Sequence, residues 1–80
     1  MTDAADIAQK LELIETHTVG AYRLDTYRLP CTDPNDEITC KALHHLGERR
    51  CIIWELRSQP GRQWCSYARF VEAHPGIIAR

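Results

Sequence analysis

Four cysteines and four histidines have the widest chemical reach in this chain: Cys31, Cys40, Cys51 and Cys65, with His17, His44, His45 and His74. Together they are numerous enough to hold a zinc ion. Structural zinc sites, however, use a Cys-x2–4-Cys knuckle, whose tight turn sets two sulfurs at adjacent corners of a tetrahedron. Here successive cysteines are separated by eight, ten and thirteen residues. Without a knuckle, the simpler expectation is that the cysteines serve as small apolar core residues. A nucleophilic cysteine needs a base within hydrogen-bond reach, and none of the four sits in a recognisable nucleophile motif. Cys65 or Cys31, if solvent-facing, is able to link two subunits by a disulfide on oxidation. No catalytic residue, cofactor or metal site is assigned.

The carboxylates form a second set. Asp33, Asp36 and Glu37 lie in one Pro-bounded loop, and Asp3, Asp6, Glu12 and Glu15 lie near the N-terminus. Carboxylates shown in a row imitate a phosphate backbone and occupy a Lys/Arg-lined nucleic-acid channel. The plainer reading is a helix cap and a solvated helix face. Proximity of the two acidic segments in space favours the first reading.

The elements that must position these groups are read from spacing. Ile7, Leu11 and Ile14 form an i, i+4, i+7 stripe, with Thr2 or Asp3 as cap, which predicts a helix over Thr2 to Glu15. Ala21 to Leu29 has strand propensity. Tyr22, Leu24 and Thr26 share one face there; Arg23, Asp25, Tyr27 and Leu29 share the other. Residues 38–46 are ambiguous. Thr32 or Asp33 as cap, Pro34 in the first turn and Gly47 as a stop favour helix, and the alternation Ile38, Cys40, Ala42 favours strand. The agreement of the terminal signals favours helix. Cys51 to Leu56 reads as a central strand with Ile52, Trp54 and Leu56 on one face. Pro60-Gly61 then fits a type II turn. Residues 63–73 fit a helix through Trp64, Tyr67, Ala68 and Val71, with a hairpin strand as the alternative.

These elements make one domain, residues 1–80, of α+β class. A small antiparallel sheet is expected, covered on one face by the N-terminal helix and a second helix. The expected core is Ile7, Leu11, Ile14, Leu24, Ile38, Ala42, Leu46, Ile52, Trp54, Leu56, Tyr67, Ala68 and Val71. A chain of 80 residues buries only about 60–65% of its unfolded surface. That limit, with the apolar tail Ile77-Ile78, favours a homodimer. The formal charge is −1, which gives no bulk electrostatic case for direct nucleic-acid binding. The acidic N-terminus lacks the basic and apolar regions of a signal peptide, and no apolar run reaches membrane-spanning length. A cytoplasmic setting with reduced thiols is expected.

Ile53-Trp54-Glu55-Leu56-Arg57, then Gly61-Arg62-Gln63-Trp64 and Tyr67, resembles the strand-turn-strand of RelE/HigB-type toxins. The resemblance covers about a quarter of the chain. It implies ribonuclease chemistry, with Arg57, Arg62 and Arg69 on phosphates and Tyr67 near the scissile bond. Those toxins are strongly basic, and this chain is not.

In overall format, a short single domain without an enzymatic signature, the chain resembles phage-type anti-CRISPR proteins. That resemblance implies a non-enzymatic inhibitor that blocks target DNA from a CRISPR surveillance complex. Asp33, Asp36 and Glu37 would then engage the partner's arginines, and Tyr22 and Tyr27 would anchor the interface. The alternatives are the ribonuclease toxin and a small Cys/His metal-binding module.

Overall fold

The structure, a computed structural model, describes residues 11–78. Their main feature is an antiparallel sheet of five strands in the order β1-β2-β3-β4-β5. The strands are β1 (Glu12–Val19), β2 (Tyr22–Pro30), β3 (Glu37–His45), β4 (Glu48–Leu56) and β5 (Gln63–Trp64). One short helix, α1 (Tyr67–Ala73), follows. The α+β expectation of two helices over a small sheet is therefore corrected: among the described residues the fold is a β-meander with a single C-terminal helix.

The expected N-terminal helix reached Glu15, but Glu12 to Glu15 belong to β1; Thr2 to Lys10 lie outside the described residues. Thr16, Thr18 and Val19 are β-branched and pair with Asp25, Arg23 and Tyr22 of β2. Ile14, expected in the core, falls where the register shifts between Leu13 and Glu15, and it is exposed. Such a bulge takes a residue out of alternation.

The expected helix over 38–46 is also corrected. Ile38, Cys40 and Ala42 are buried at alternate positions of β3. The residues that resembled a helix cap build a turn instead. Asp33 Oδ1 accepts the Asn35 N–H at 2.9 Å, and the Asp36 N–H donates to the Asp33 carbonyl at 3.2 Å. Aspartate first and proline second is a favoured β-turn order. Gly47, read as a helix stop, is the second residue of a two-residue hairpin loop between His45 and Glu48.

That loop has φ 53° at Leu46 and φ 81° at Gly47. Two positive φ angles define the type I′ turn, whose twist matches the flanking strands. Leucine is a poor residue there, since its Cβ crowds the backbone in the left-handed region. It was expected in the core, yet it is 76% exposed. Leu46→Asn should therefore stabilise the protein by about 1 kcal/mol, raising Tm by roughly 4–8 °C in a domain this small. Calorimetry checks this, and an unchanged or lower Tm would contradict the account.

The segment 63–73 realises both readings in turn. Trp54 pairs with Trp64 and Glu55 with Gln63. The turn between them is closed by the Arg62 N–H to the Gln59 carbonyl at 3.2 Å, with Gly61 at φ 88°. Ser66 then caps α1 by accepting the Arg69 N–H. The buried helix residue is Phe70, flanked by half-buried Tyr67 and Val71, whereas Ala68 is exposed. The core-facing stripe is thus shifted from the one the sequence suggests.

The core is Leu29, Cys31, Ile38, Cys40, Trp54, Leu56 and Phe70. Leu29, Ile38 and Leu56 sit side by side across β2, β3 and β4, as do Tyr27, Cys40 and Trp54. Phe70 closes this half of the face, its ring 5.7 Å from Trp64 and 6.3 Å from Trp54. The tail docks on its own domain. The Thr32 N–H donates to the Ile77 carbonyl at 2.9 Å, and Cys31 bridges Ile78.

Burial sorts the four cysteines. Cys31 and Cys40 are buried; Cys51 and Cys65 are exposed. Burial pushes the Cys40 thiol up to about 11, against the lowering pull of the Arg49 charge. Thiolate is the reactive form. Iodoacetamide at neutral pH should therefore label Cys51 and Cys65 in the native protein, with Cys31 and Cys40 following only in urea. Mass spectrometry of the labelled chain reads the order, and early labelling of Cys40 would contradict its burial.

Candidate functional site

The five residues expected to meet a partner do not form one surface. Tyr22 and Tyr27, an odd number of residues apart on β2, project to opposite faces. Tyr27 is half-buried against the core and pairs across from Cys40. Tyr22 is exposed at the other end of the strand from the acidic loop, roughly 27 Å away at the usual rise per residue. Its ring stacks on His45 with centroids 4.5 Å apart. Val19 and Leu46 are exposed at the same end, where the Leu46 N–H donates to the Ala21 carbonyl at 2.9 Å.

Asp33, Asp36 and Glu37 do come together, and Glu12 joins them. A groove of about 290 Å³ is lined by Glu12, Asp33, Asp36 and Glu37, with Arg28 and two prolines. Antiparallel pairing of Glu12 with Arg28 brings β1 to this end of the sheet. Arg28 donates from Nε and Nη2 to the two Glu12 oxygens at 2.9 and 3.1 Å. Those bonds and the Glu12 charge hold the guanidinium above its ordinary value. Glu37 has a looser contact, 4.0 Å from Arg57 Nη1.

Asp36 differs from its neighbours. Its Oδ1 accepts the Glu37 N–H at 2.8 Å and the Ser58 N–H at 3.1 Å, and its Oδ2 accepts the Ser58 hydroxyl. Burial alone would raise this carboxyl. The bonds from Ser58 and Glu37, with the Arg57 charge, outweigh it and hold Asp36 below the ordinary carboxylate value. Arg57 Nη2 also donates to the Asn35 carbonyl at 3.0 Å. Asp36 and Arg57 therefore clamp the β2–β3 loop to the segment after β4.

The residues of the toxin resemblance are dispersed in role. Arg57 belongs to that clamp, and Arg62 lies exposed in the Gly61 turn. Tyr67 packs its ring 4.9 Å from Trp54, and burial raises its hydroxyl pKa.

A third group gathers residues that the sequence does not join. Asp25 is 6% exposed. Its Oδ1 accepts the Thr16 hydroxyl at 3.1 Å, and its Oδ2 accepts Arg23 Nε at 3.2 Å and lies 3.5 Å from His44 Nε2. Sheet pairing puts Thr16 beside Asp25 and Arg23 beside His44. The sequence did place Arg23 and Asp25 on the Tyr27 face; nothing in it indicated that Asp25 would be buried beneath an exposed Arg23.

Among the described residues no group of three or more His, Cys, Asp or Glu side chains is arranged to hold a metal ion, and no helix is long and apolar enough to cross a membrane. No family model, curated protein or solved structure matches the chain.

Proposed function

We propose that this chain is a binding protein that acts by occlusion, its acidic groove seated on a basic nucleic-acid-binding surface of another protein. The observation that supports this is the convergence of Glu12 with Asp33, Asp36 and Glu37 from segments more than twenty residues apart. Four carboxylates and one guanidinium line the groove, so it presents net negative charge to a Lys/Arg-lined channel. The format resemblance to phage-type anti-CRISPR proteins makes a CRISPR surveillance complex the proposed target and DNA docking the blocked step. A homodimer would present two such grooves at once.

The test removes charge and keeps the acceptor oxygen that the turn uses. Asp33→Asn with Glu37→Gln neutralises two of the four carboxylates of the groove, retains an oxygen for the Asn35 N–H, and leaves the Asp36 carboxylate in place. Gel-shift assays of target DNA with purified surveillance complexes of the DNA-targeting subtypes, titrated with this protein, read the effect. Wild-type protein should suppress the shifted band, and the double variant should lose at least tenfold in potency at unchanged Tm. Undiminished DNA binding by every complex at saturating wild-type protein would refute the target. Equal potency of the double variant would refute the surface.

A further inference from the structure

The helix covers only one end of its sheet face. Toward the other end the face carries a second groove of about 280 Å³, lined by Leu11, Tyr27, Cys40, Ala42 and Ile52, with His44 and Arg49 at its polar end. Ala42 lies between Asp25 and Ile52 across the sheet, so the floor is continuous from β2 to β4. The groove is a different place from the acidic one, and its chemistry is opposite in sign.

The charges at its polar end do not cancel. Arg23 is paired with Asp25, Arg28 with Glu12, Arg50 with Glu48 and Arg57 with Glu37. Among the described residues no carboxylate lies within ion-pair distance of Arg49. Arg49 lines the same groove as Cys40, Ala42 and Ile52, beside apolar floor. Asp25 is already committed to Thr16, Arg23 and the nearby His44 ring. His44 Nδ1 is enclosed with no hydrogen-bond partner among the described residues. A buried polar atom left in this state requires an explanation. The polar end therefore holds one unbalanced cation beside an under-satisfied imidazole, with an apolar trough leading away from both.

We propose that this groove binds a small amphiphilic anion, an alkyl or aryl carboxylate, with its head group on Arg49 beside His44 and its tail along Tyr27, Ala42 and Ile52. Small-molecule sites combine an apolar lining with a few polar groups that fix orientation. Arginine matches a carboxylate with two parallel donors. The volume sits near the lower bound of such sites, about 300 Å³, which suits a short chain or a single ring.

Octanoate is the probe, with octanol and octylamine as controls of equal tail length. Backbone amide shifts of Ala42, His44 and Ile52 are followed by NMR in the full chain. Octanoate should shift these amides saturably and bind at least tenfold tighter than either control. Arg49→Gln should bring octanoate to the level of octanol without moving Tm, and Arg49→Lys should keep part of the difference. Equal binding of the three probes would reduce the groove to an apolar patch and overturn the proposal. So would shifts confined to other residues. Nuclear Overhauser contacts from residues 1–10 to Tyr27 and Ile52 in the ligand-free chain would assign the groove to the chain itself, and would also overturn it.

Discussion

Replacing Phe70 with alanine should unfold most of this protein's margin of stability. The ring is 0% exposed and is the only buried residue of α1. It touches Trp54, Trp64 and His74 through ring contacts of 6.3, 5.7 and 4.7 Å. Truncating a buried phenylalanine costs about 3–5 kcal/mol, because lost transfer energy and an unfilled cavity add. A domain of 80 residues has roughly 4–12 kcal/mol in all. Phe70→Leu keeps most of the volume and should cost about 1–2 kcal/mol. Urea unfolding followed by tryptophan fluorescence measures both, since both tryptophans report on the ring. A loss below about 1 kcal/mol for Phe70→Ala would mean that α1 does not rest on the sheet as described.

Asp36→Asn should be the second largest loss, about 1–3 kcal/mol at neutral pH. Asparagine keeps one acceptor oxygen where two now take bonds from two backbone N–H groups and a hydroxyl. The pH dependence follows from the lowered carboxyl. A group whose folded pKa lies below its unfolded value, here 3.8, adds stability above that value and loses it as pH falls through the folded pKa. The gap between wild type and variant should thus be constant from pH 7 to 5 and close in stronger acid, where Asp36 is itself neutral. Urea midpoints at pH 7, 5 and 3 test this. A gap that persists undiminished at pH 3 would point to shape, not charge, as the basis of the clamp.

The middle of the fold was legible because its strands obey alternation. Ile38 and Ala42 on β3, and Trp54 and Leu56 on β4, are buried at every second position. Helix is nonetheless favoured over 38–46, because Asp33 and Pro34 before it and Gly47 after it stand in helix-terminus order. The same residues suit tight turns, and local chemistry does not separate the two uses. Strand pairing on both sides of β3 decided between them. The helix expectation runs too far at its C-terminal end for a similar reason: Leu11 and Ile14 fit a helical period by number, while Thr16, Thr18 and Val19 beyond them favour the extension seen in β1.

The acidic residues were legible as a set, and their division of labour was not. Asp36 became a clamp because Ser58 of a later turn reaches it, a contact that spans 22 residues. Tyr22 and Tyr27 were joined in expectation by residue type, although their odd spacing on a strand already puts them on opposite faces. Asp25 reads as an ordinary polar residue of a strand, and His44 as one of four candidate zinc ligands, so nothing in the sequence joins the two. Pairing is what brought them together.

In the five-strand sheet each strand pairs only with strands next to it in sequence. A chain wired this way can assemble as a zipper, each hairpin closing a short loop at small entropic cost. The exception is the latch at the tail, where Thr32 donates to the Gly76 and Ile77 carbonyls across more than forty residues. Growth of the meander can start at the two-residue loop of β3 and β4 and spread outward. Closing the latch ties the connection between β2 and β3 to the segment after α1, which adds a long-range constraint to a row of hairpins.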